Sequence, residues 1–286
     1  MKILIIGANG QLGSELKYLS NKESGFDFLF TDVQELDATN YQSFLAYCEE
    51  NKPNFIVNCA AYTAVDIAEN ETETAKLINE TIPKNIGRIA KLIQAKAIHI
   101  STDYVFDGMS NVPYVEDDLV SPESVYGKTK LNGEIALIKE EPQAVIIRTS
   151  WLYSIYGKNF VKTMIKLGEE KDELRVIADQ VGTPTFARDL ATAILKIIKQ
   201  AEHNWVPGIY HYSNEGAASW YDFAKQIHEI SGISCDVSPI TTADYPTPAK
   251  RPSYSILNKN KIKSTFGITI PYWRDSLKTC INLLKQ

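Results

Sequence analysis

Tyr126 and Lys130 stand four residues apart in the run Tyr126-Gly127-Lys128-Thr129-Lys130, a spacing that puts both side chains on one face of a helix, one turn apart. A phenol and an ammonium placed this way suit proton transfer. A free phenol has a pKa of about 10, too high for acid or base work at neutral pH, and a nearby cation favours the phenolate and lowers that value. Lys130 is the predicted source of that charge. Upstream, Ser101-Thr102-Asp103-Tyr104-Val105-Phe106-Asp107-Gly108 contributes a hydroxyl, Thr102, able to hydrogen-bond the carbonyl oxygen that Tyr126 protonates. Tyr and Lys at this spacing also occur on ordinary amphipathic helices, so the surrounding elements decide the reading.

Ile3-Leu4-Ile5-Ile6 is an unbroken apolar run, as in a central parallel strand covered on both faces. It feeds directly into Gly7-Ala8-Asn9-Gly10-Gln11-Leu12-Gly13, and residues 14–19 have helical spacing. A strand, a glycine-rich turn and a helix in that order build a dinucleotide site, because glycines let the backbone approach a pyrophosphate and helix N–H groups face its charge. Gly7, Asn9, Gly10, Gln11, Leu12 and Gly13 are therefore predicted cofactor contacts, although the spacing is G-x-x-G-x-x-G and not the commoner G-x-G-x-x-G. A second strand, 26–31, ends at Asp32, 19 residues beyond Gly13. An acidic residue at that distance accepts hydrogen bonds from the adenosine ribose and disfavours a 2′-phosphate. That points to NAD(H), and no Arg stands beside Asp32 to welcome NADP(H).

Asp37 is predicted to cap a helix running to about Glu50 and, with Ala38, to edge the adenine. Residues 55–59 read as the next buried strand, followed by Ala60-Ala61-Tyr62-Thr63, small where a cofactor must pass close. Asn79 falls in a helical stretch predicted over 75–95, either as an exposed residue or as a buried polar group steadying the site. Residues 97–100 form the fourth predicted strand, which places Ile100 beside the cofactor and delivers Thr102 to the carboxyl edge of the sheet, where ligands bind in open α/β folds. After a Pro-, Asp- and Asn-rich loop, a helix opening at 122–125 carries Tyr126 and Lys130. The predicted fold is α/β: a Rossmann-type doubly wound parallel sheet over residues 1–150, with a smaller α/β substrate-binding lobe drawn mainly from 151–286.

A composition of 44% hydrophobic and 23% charged residues supplies an ordinary globular core. Net charge of −5 and the lack of any Lys/Arg run argue against nucleic acid as a partner. Cys48, Cys59, Cys235 and Cys280 are scattered without a C-x-x-C pair, so they read as buried thiols in a reducing compartment. His99, His203, His211 and His228 share no ligand spacing, and none is predicted to be catalytic. No segment reaches the ~18 apolar residues of a membrane span, and the first apolar run is too short for a signal peptide. A cytoplasmic protein is expected.

The glycine pattern, Asn58-Cys59-Ala60-Ala61, Ser101-Thr102-Asp103 and Tyr126-Gly127-Lys128-Thr129-Lys130 together resemble the extended short-chain dehydrogenase/reductase superfamily. Within it the chain is similar to the dTDP-4-dehydrorhamnose reductase family, also through Arg148-Thr149-Ser150-Trp151-Leu152-Tyr153, Ala178-Asp179-Gln180-Val181-Gly182-Thr183-Pro184-Thr185 and Arg251-Pro252. The resemblance implies NADPH or NADH as cofactor, a dTDP-sugar as substrate, and reduction of the C4 carbonyl of dTDP-4-dehydro-L-rhamnose. It makes Tyr126 the proton donor, Lys130 the residue that tunes it and holds the nicotinamide ribose, and Thr102 the contact to the substrate carbonyl. Asp103, Tyr104 and Trp151 would surround the deoxysugar. Arg251, on the proline-rich loop 244–252, has a planar guanidinium suited to a diphosphate or to a plain salt bridge.

Some members of that family dimerise around a magnesium ion held by acidic residues. Here the closing stretch 273–286 holds Asp275 but no Glu, so no metal is predicted, while a homodimer stays open. Cys59 also stands where that family usually has Ala. The related 4,6-dehydratases place a Glu after Thr-Asp, for acid and base work in eliminating water. This chain has Tyr104 there, which favours simple carbonyl reduction. Epimerases share Tyr-x-x-x-Lys and form one alternative. A non-catalytic dinucleotide-binding subunit, like the regulatory β subunit of methionine adenosyltransferase, forms another, against which the retention of Thr102, Tyr126 and Lys130 weighs.

Overall fold

In the computed structural model, which describes residues 1–286, the apolar runs of the first half lie side by side in one parallel sheet. Strands β1 (Lys2–Ile6), β2 (Asp27–Thr31), β3 (Phe55–Asn58), β4 (Lys96–Thr102) and β5 (Val145–Thr149) alternate with helices α1 (Gln11–Ser20), α2 (Tyr41–Asn51), α3 (Val65–Ala68), α4 (Thr72–Lys76), α5 (Ile82–Ile93) and α6 (Val125–Glu140). The second half adds β6 (Leu152–Tyr153), α7 (Phe160–Glu170), β7 (Glu173–Ile177), β8 (Val181–Gly182), β9 (Thr185–Phe186), α8 (Ala187–Lys199), β10 (Gly208–His211), β11 (Ala218–Ser219), α9 (Trp220–Ser231), β12 (Asp236–Ile240), α10 (Asn260–Phe266) and α11 (Trp273–Leu284).

The main sheet has the order β10-β5-β4-β3-β1-β2. Alternate residues of β1 explain why it is apolar throughout. Ile3 and Ile5 pack under α1 and α8, whereas Leu4 and Ile6 pack under α2 and α5, so both faces exclude water. The order reverses at β1, whose neighbours are β2 on one side and β3 on the other. Such a switch point opens a crevice at the carboxyl ends of the strands. Segments from the second half return to this layer, because β10 pairs with β5 and α8 packs on the same core as α1. A separate core around Tyr153, Phe186, Phe223 and Trp273 holds α7, α9 and α11 together. No helix is long and apolar enough to cross a membrane.

The helix beginning near residue 40 is capped by Asn40, whose Oδ1 accepts from the Gln42 and Ser43 N–H groups. The Asp37 cap expected from sequence is therefore corrected. Asp37 is committed to a local turn, accepting from Thr39 N and Oγ1 at 3.0 and 2.6 Å. The single helix expected over 75–95 is instead α4, a π-helical turn at Leu77–Thr81, and α5 with Pro83 in its first turn. Proline lacks the N–H that would continue a regular helix, and the wider turn accommodates the loss. The same turn buries Asn79.

Candidate active site

β1 leads into a turn that only glycine permits. Gly7 has φ of +78°, and a Cβ there would stand 2.7 Å from Ala60 N, while a Cβ on Gly13 would stand 2.3 Å from the Gly7 carbonyl oxygen. The loop, the residues after β3 and the start of α1 thus pack closer than side chains allow. Gly10 occupies the N-cap of α1 without any side-chain cap, and the first turn carries no acidic residue, so its free N–H groups and the helix dipole favour an anion. Asn9 N donates to Asp32 Oδ2 at 3.0 Å, which ties the end of β2 to the loop.

Two cavities meet over this turn. One, of about 400 Å³, is bounded by Gly7, Asp32, Asp37, Ala38 and Ala60. The other, of about 620 Å³, is bounded by Gln11, Leu12, Thr63, Ile100 and the cluster Thr102, Asp103, Tyr104, Tyr126, Lys130 and Trp151. Gly10, Cys59 and Ala61 line both. The glycine cradle, the uncapped helix end and two joined cavities of ordinary ligand size fit an elongated dinucleotide with room for a second small molecule. Asn9 and Gly13 shape the loop without lining either cavity. Tyr62 also stays outside both, its hydroxyl donating to Glu71 Oε2 at 2.8 Å. Buried Asn79 fixes the backbone there, accepting from Tyr62 N at 2.9 Å and donating to Tyr62 O and Thr129 Oγ1.

α6 is capped by Ser124, which accepts from Gly127 N at 3.1 Å. A Cβ on Gly127 would lie 2.3 Å from the Tyr104 carbonyl oxygen, so the helix sits directly on the turn after β4. That contact brings the Tyr126 ring edge-on to Tyr104, 5.4 Å between centroids. Thr102 Oγ1 donates to Asp103 Oδ1 at 3.0 Å. Burial pushes the Tyr126 phenol up to about 12, with the Thr102 hydroxyl pulling the other way and the Asp103 carboxylate adding to the rise. Lys130 Nζ turns toward β4, donating to the Ile100 carbonyl at 2.6 Å and facing His99 Nε2 at 3.5 Å. Burial brings Lys130 down to about 8, while the charges of Glu134 and Cys59 act upward.

Sequence reasoning passed over three buried residues behind Lys130. Ala60 N donates to Asn58 Oδ1 at 3.1 Å, which leaves Asn58 Nδ2 to donate to His99 Nδ1 at 3.0 Å. That bond assigns the neutral His99 proton to Nε2, toward Lys130, and burial holds His99 well below the ordinary histidine range. One turn below Lys130, Glu134 accepts from Arg148 Nη2 at 2.8 Å and from the Ser101 hydroxyl. The available signal was a His and an Arg inside otherwise apolar strands, and a Glu four residues after Lys130.

Arg251 is found in an ion pair, donating to Asp66 Oδ1 and Oδ2 at 3.0 and 2.6 Å. It borders a small pocket beside Tyr104. Asp103 Oδ2 is buried without a hydrogen-bond partner, and burial raises that carboxyl to about 6. Trp151 lines the larger cavity with its ring stacked on Trp220.

The whole chain, residues 1–286, matches the family model described as RmlD substrate binding domain. A protein named dTDP-4-dehydrorhamnose reductase from Aggregatibacter actinomycetemcomitans is 41% identical over 286 residues, 97% of each chain. A crystal structure of a dTDP-4-dehydrorhamnose reductase from Clostridium acetobutylicum is 47% identical, covers 100% of both chains and superposes with a TM-score of 0.95. Another, from Bacillus anthracis in complex with NADP, is 39% identical over 99% of both chains, with a TM-score of 0.94. With its parallel sheet, glycine cradle and Tyr126–Lys130 helix matched along their full length, the chain belongs to the RmlD substrate binding domain family.

Proposed function

We propose that this protein reduces the C4 carbonyl of dTDP-4-dehydro-L-rhamnose to dTDP-L-rhamnose with NADPH or NADH, the final step of dTDP-rhamnose biosynthesis. The observation that carries the reading is a half-buried Tyr126 in the same cavity wall as Thr102 and Lys130, next to a second cavity that shares Gly10, Cys59 and Ala61 with it. A dinucleotide-binding lobe centred on residues 1–150 would hold the cofactor along the smaller cavity, with a smaller lobe drawn mainly from 151–286 helping to line the larger one.

The reduced nicotinamide, when bound, supplies a hydride to the carbonyl carbon. The protein's task is then to hold the oxygen and give it a proton. Thr102 turns its hydroxyl from Asp103 Oδ1 to donate to that oxygen, and Tyr126 delivers the proton. A phenol at about 12 stays protonated at neutral pH, yet it is still more acidic than a secondary sugar alcohol, so transfer to the forming alkoxide runs downhill. Lys130, at about 8, is charged at neutral pH. Its buried charge stabilises the developing anion and binds the nicotinamide ribose. The unpartnered Asp103 Oδ2 accepts a sugar hydroxyl, Tyr104 and Trp151 close the deoxysugar in, and Arg251 exchanges Asp66 for the diphosphate. Tyr104, in place of a second carboxylate beside Asp103, leaves the site without the paired acid and base that water elimination needs.

The test is oxidation of NADPH and of NADH by the wild-type protein with dTDP-4-dehydro-L-rhamnose, followed by identification of the sugar product. Consumption yielding dTDP-L-rhamnose is expected. Cofactor binding without turnover sinks the proposal. The same assay checks Asp32, whose carboxylate borders the smaller cavity. Asp32→Ala is expected to raise the KM for NADH by about tenfold and to favour NADPH in the ratio of kcat/KM values. An unchanged ratio would remove Asp32 from cofactor selection.

A further inference from the structure

Trp151 follows β5 with φ of +47°, a left-handed conformation that a bulky L-residue avoids. Such a conformation persists only where the surroundings over-determine it. Here they do. The Trp151 carbonyl accepts from Thr185 N at 3.1 Å, and the neighbouring Ser150 hydroxyl donates to Thr183 O at 2.8 Å. The side chain occupies a slot. On one side lies Gly182, where a Cβ would stand 2.7 Å from Trp151 Cε2. On the other lies the indole of Trp220, with centroids 3.6 Å apart and planes 9° from parallel. Trp220 is itself braced by Phe160 at 4.7 Å.

The two rings come from different parts of the chain, Trp151 from the end of a main-sheet strand and Trp220 from the first turn of α9. Both line the larger cavity with Thr102 and Tyr126. The cavity lining is therefore mixed, joining the Ser101, Thr102 and Tyr126 hydroxyls and the Asp103 carboxyl to the paired indoles. A 4-keto-6-deoxysugar is mixed in the same way, with hydroxyls at C2 and C3 and a methyl-bearing C5–C6 edge.

We propose that Trp220 is a positioning residue of the substrate cavity: its indole clamps Trp151 in the left-handed conformation, so that the paired rings present an apolar face to the deoxy edge of a sugar nucleotide. The ligand class rests on the functional reading above. Trp220 acts on sugar recognition and not on the dinucleotide, because neither ring lines the cavity beside Asp32.

The test compares Trp220→Leu, which keeps an apolar group in the small core but removes the stacking plane, with Trp220→Phe, which keeps a plane. Stacked indoles couple electronically and give a paired circular dichroism signal in their strong far-ultraviolet bands. That signal is expected in the wild type and lost in both variants. Trp220→Leu is expected to raise the KM for the sugar nucleotide about tenfold with the cofactor KM held within about twofold, and Trp220→Phe to restore most of the loss. A sugar KM within about twofold of wild type in Trp220→Leu, or equal rises in both KM values together with a lower melting temperature, overturns the inference. If the wild type itself fails to turn over the sugar nucleotide, the functional reading falls, and a crystal structure of Trp220→Leu decides the clamp alone. A Trp151 that keeps its left-handed φ and its ring position in that variant overturns it.

Discussion

Tyr126→Phe is expected to lower kcat by roughly 10²–10⁴-fold while leaving the dissociation constant of the reduced cofactor nearly unchanged. The substitution removes a single oxygen. The ring remains, so the edge-on contact with Tyr104 at 5.4 Å and the seat of α6 on the Tyr104 carbonyl survive. What disappears is the phenolic proton in the cavity wall that Tyr126 shares with Thr102. The pH dependence sharpens this prediction. The phenol titrates at about 12, so Tyr126 is in its donating form throughout the usual assay range, and loss of rate on the alkaline side reports another group. Lys130, which sheds its charge as pH rises through about 8, is that group. Stopped-flow and steady-state rates from pH 6 to 10 are expected to show one alkaline limb in the wild type and the same limb, at far lower amplitude, in the variant. Near-normal turnover in Tyr126→Phe would remove the phenol from the chemistry.

The second large effect is structural. Glu134 and Arg148 are 1% and 2% exposed, and their ion pair at 2.8 Å is completed by the Ser101 hydroxyl and by the face of Phe106, 5.1 Å from the guanidinium. Glu134→Ala leaves a guanidinium buried without its counter-charge, which costs about 3–5 kcal/mol. A melting temperature lower by on the order of 10 °C follows, and Glu134→Gln, which keeps the hydrogen-bonding shape, should lose less. The same carboxylate holds Lys130 upward against burial. Without it Lys130 loses its proton at a lower pH than about 8, so cofactor affinity in Glu134→Ala should begin to fall at a lower pH than in wild type. A variant that melts with the wild type would show that the pair is not carrying the packing of α6 on β5.

The parallel sheet and the glycine cradle were legible in the sequence because their causes are local. Four consecutive apolar residues before Gly7 have few places to go other than a strand covered on both faces, and Gly7 and Gly13 sit where a Cβ would strike backbone. β4 carried Thr102 to the sheet edge as expected, extending to Lys96–Thr102. What escaped the sequence depended on distant chain. Asp37 and Asn40 are both good caps, and only the turn that consumes Asp37 decides between them. Lys130 faces its helix neighbour Tyr126 in sequence terms, but the Ile100 carbonyl across the α6–β4 interface is a stronger acceptor. His99 was set aside for want of a ligand spacing and Arg148 was named only within a resembling run; the buried partners Asn58 and Glu134, distant in sequence, give them their place. Trp220 packs against the core of the second half, and the φ of Trp151 together with the ring stacking is what points to a second task.

The central claim is a direct hydride reduction at C4 of the sugar with Tyr126 supplying the proton. It is tested most directly by turnover with reduced cofactor deuterated at the transferring position of the nicotinamide. The expected result is dTDP-L-rhamnose carrying one deuterium, at C4, with the hydroxyl proton drawn from solvent. Product without deuterium, deuterium at another carbon, or recovery of unchanged sugar nucleotide while the cofactor remains bound would contradict the account.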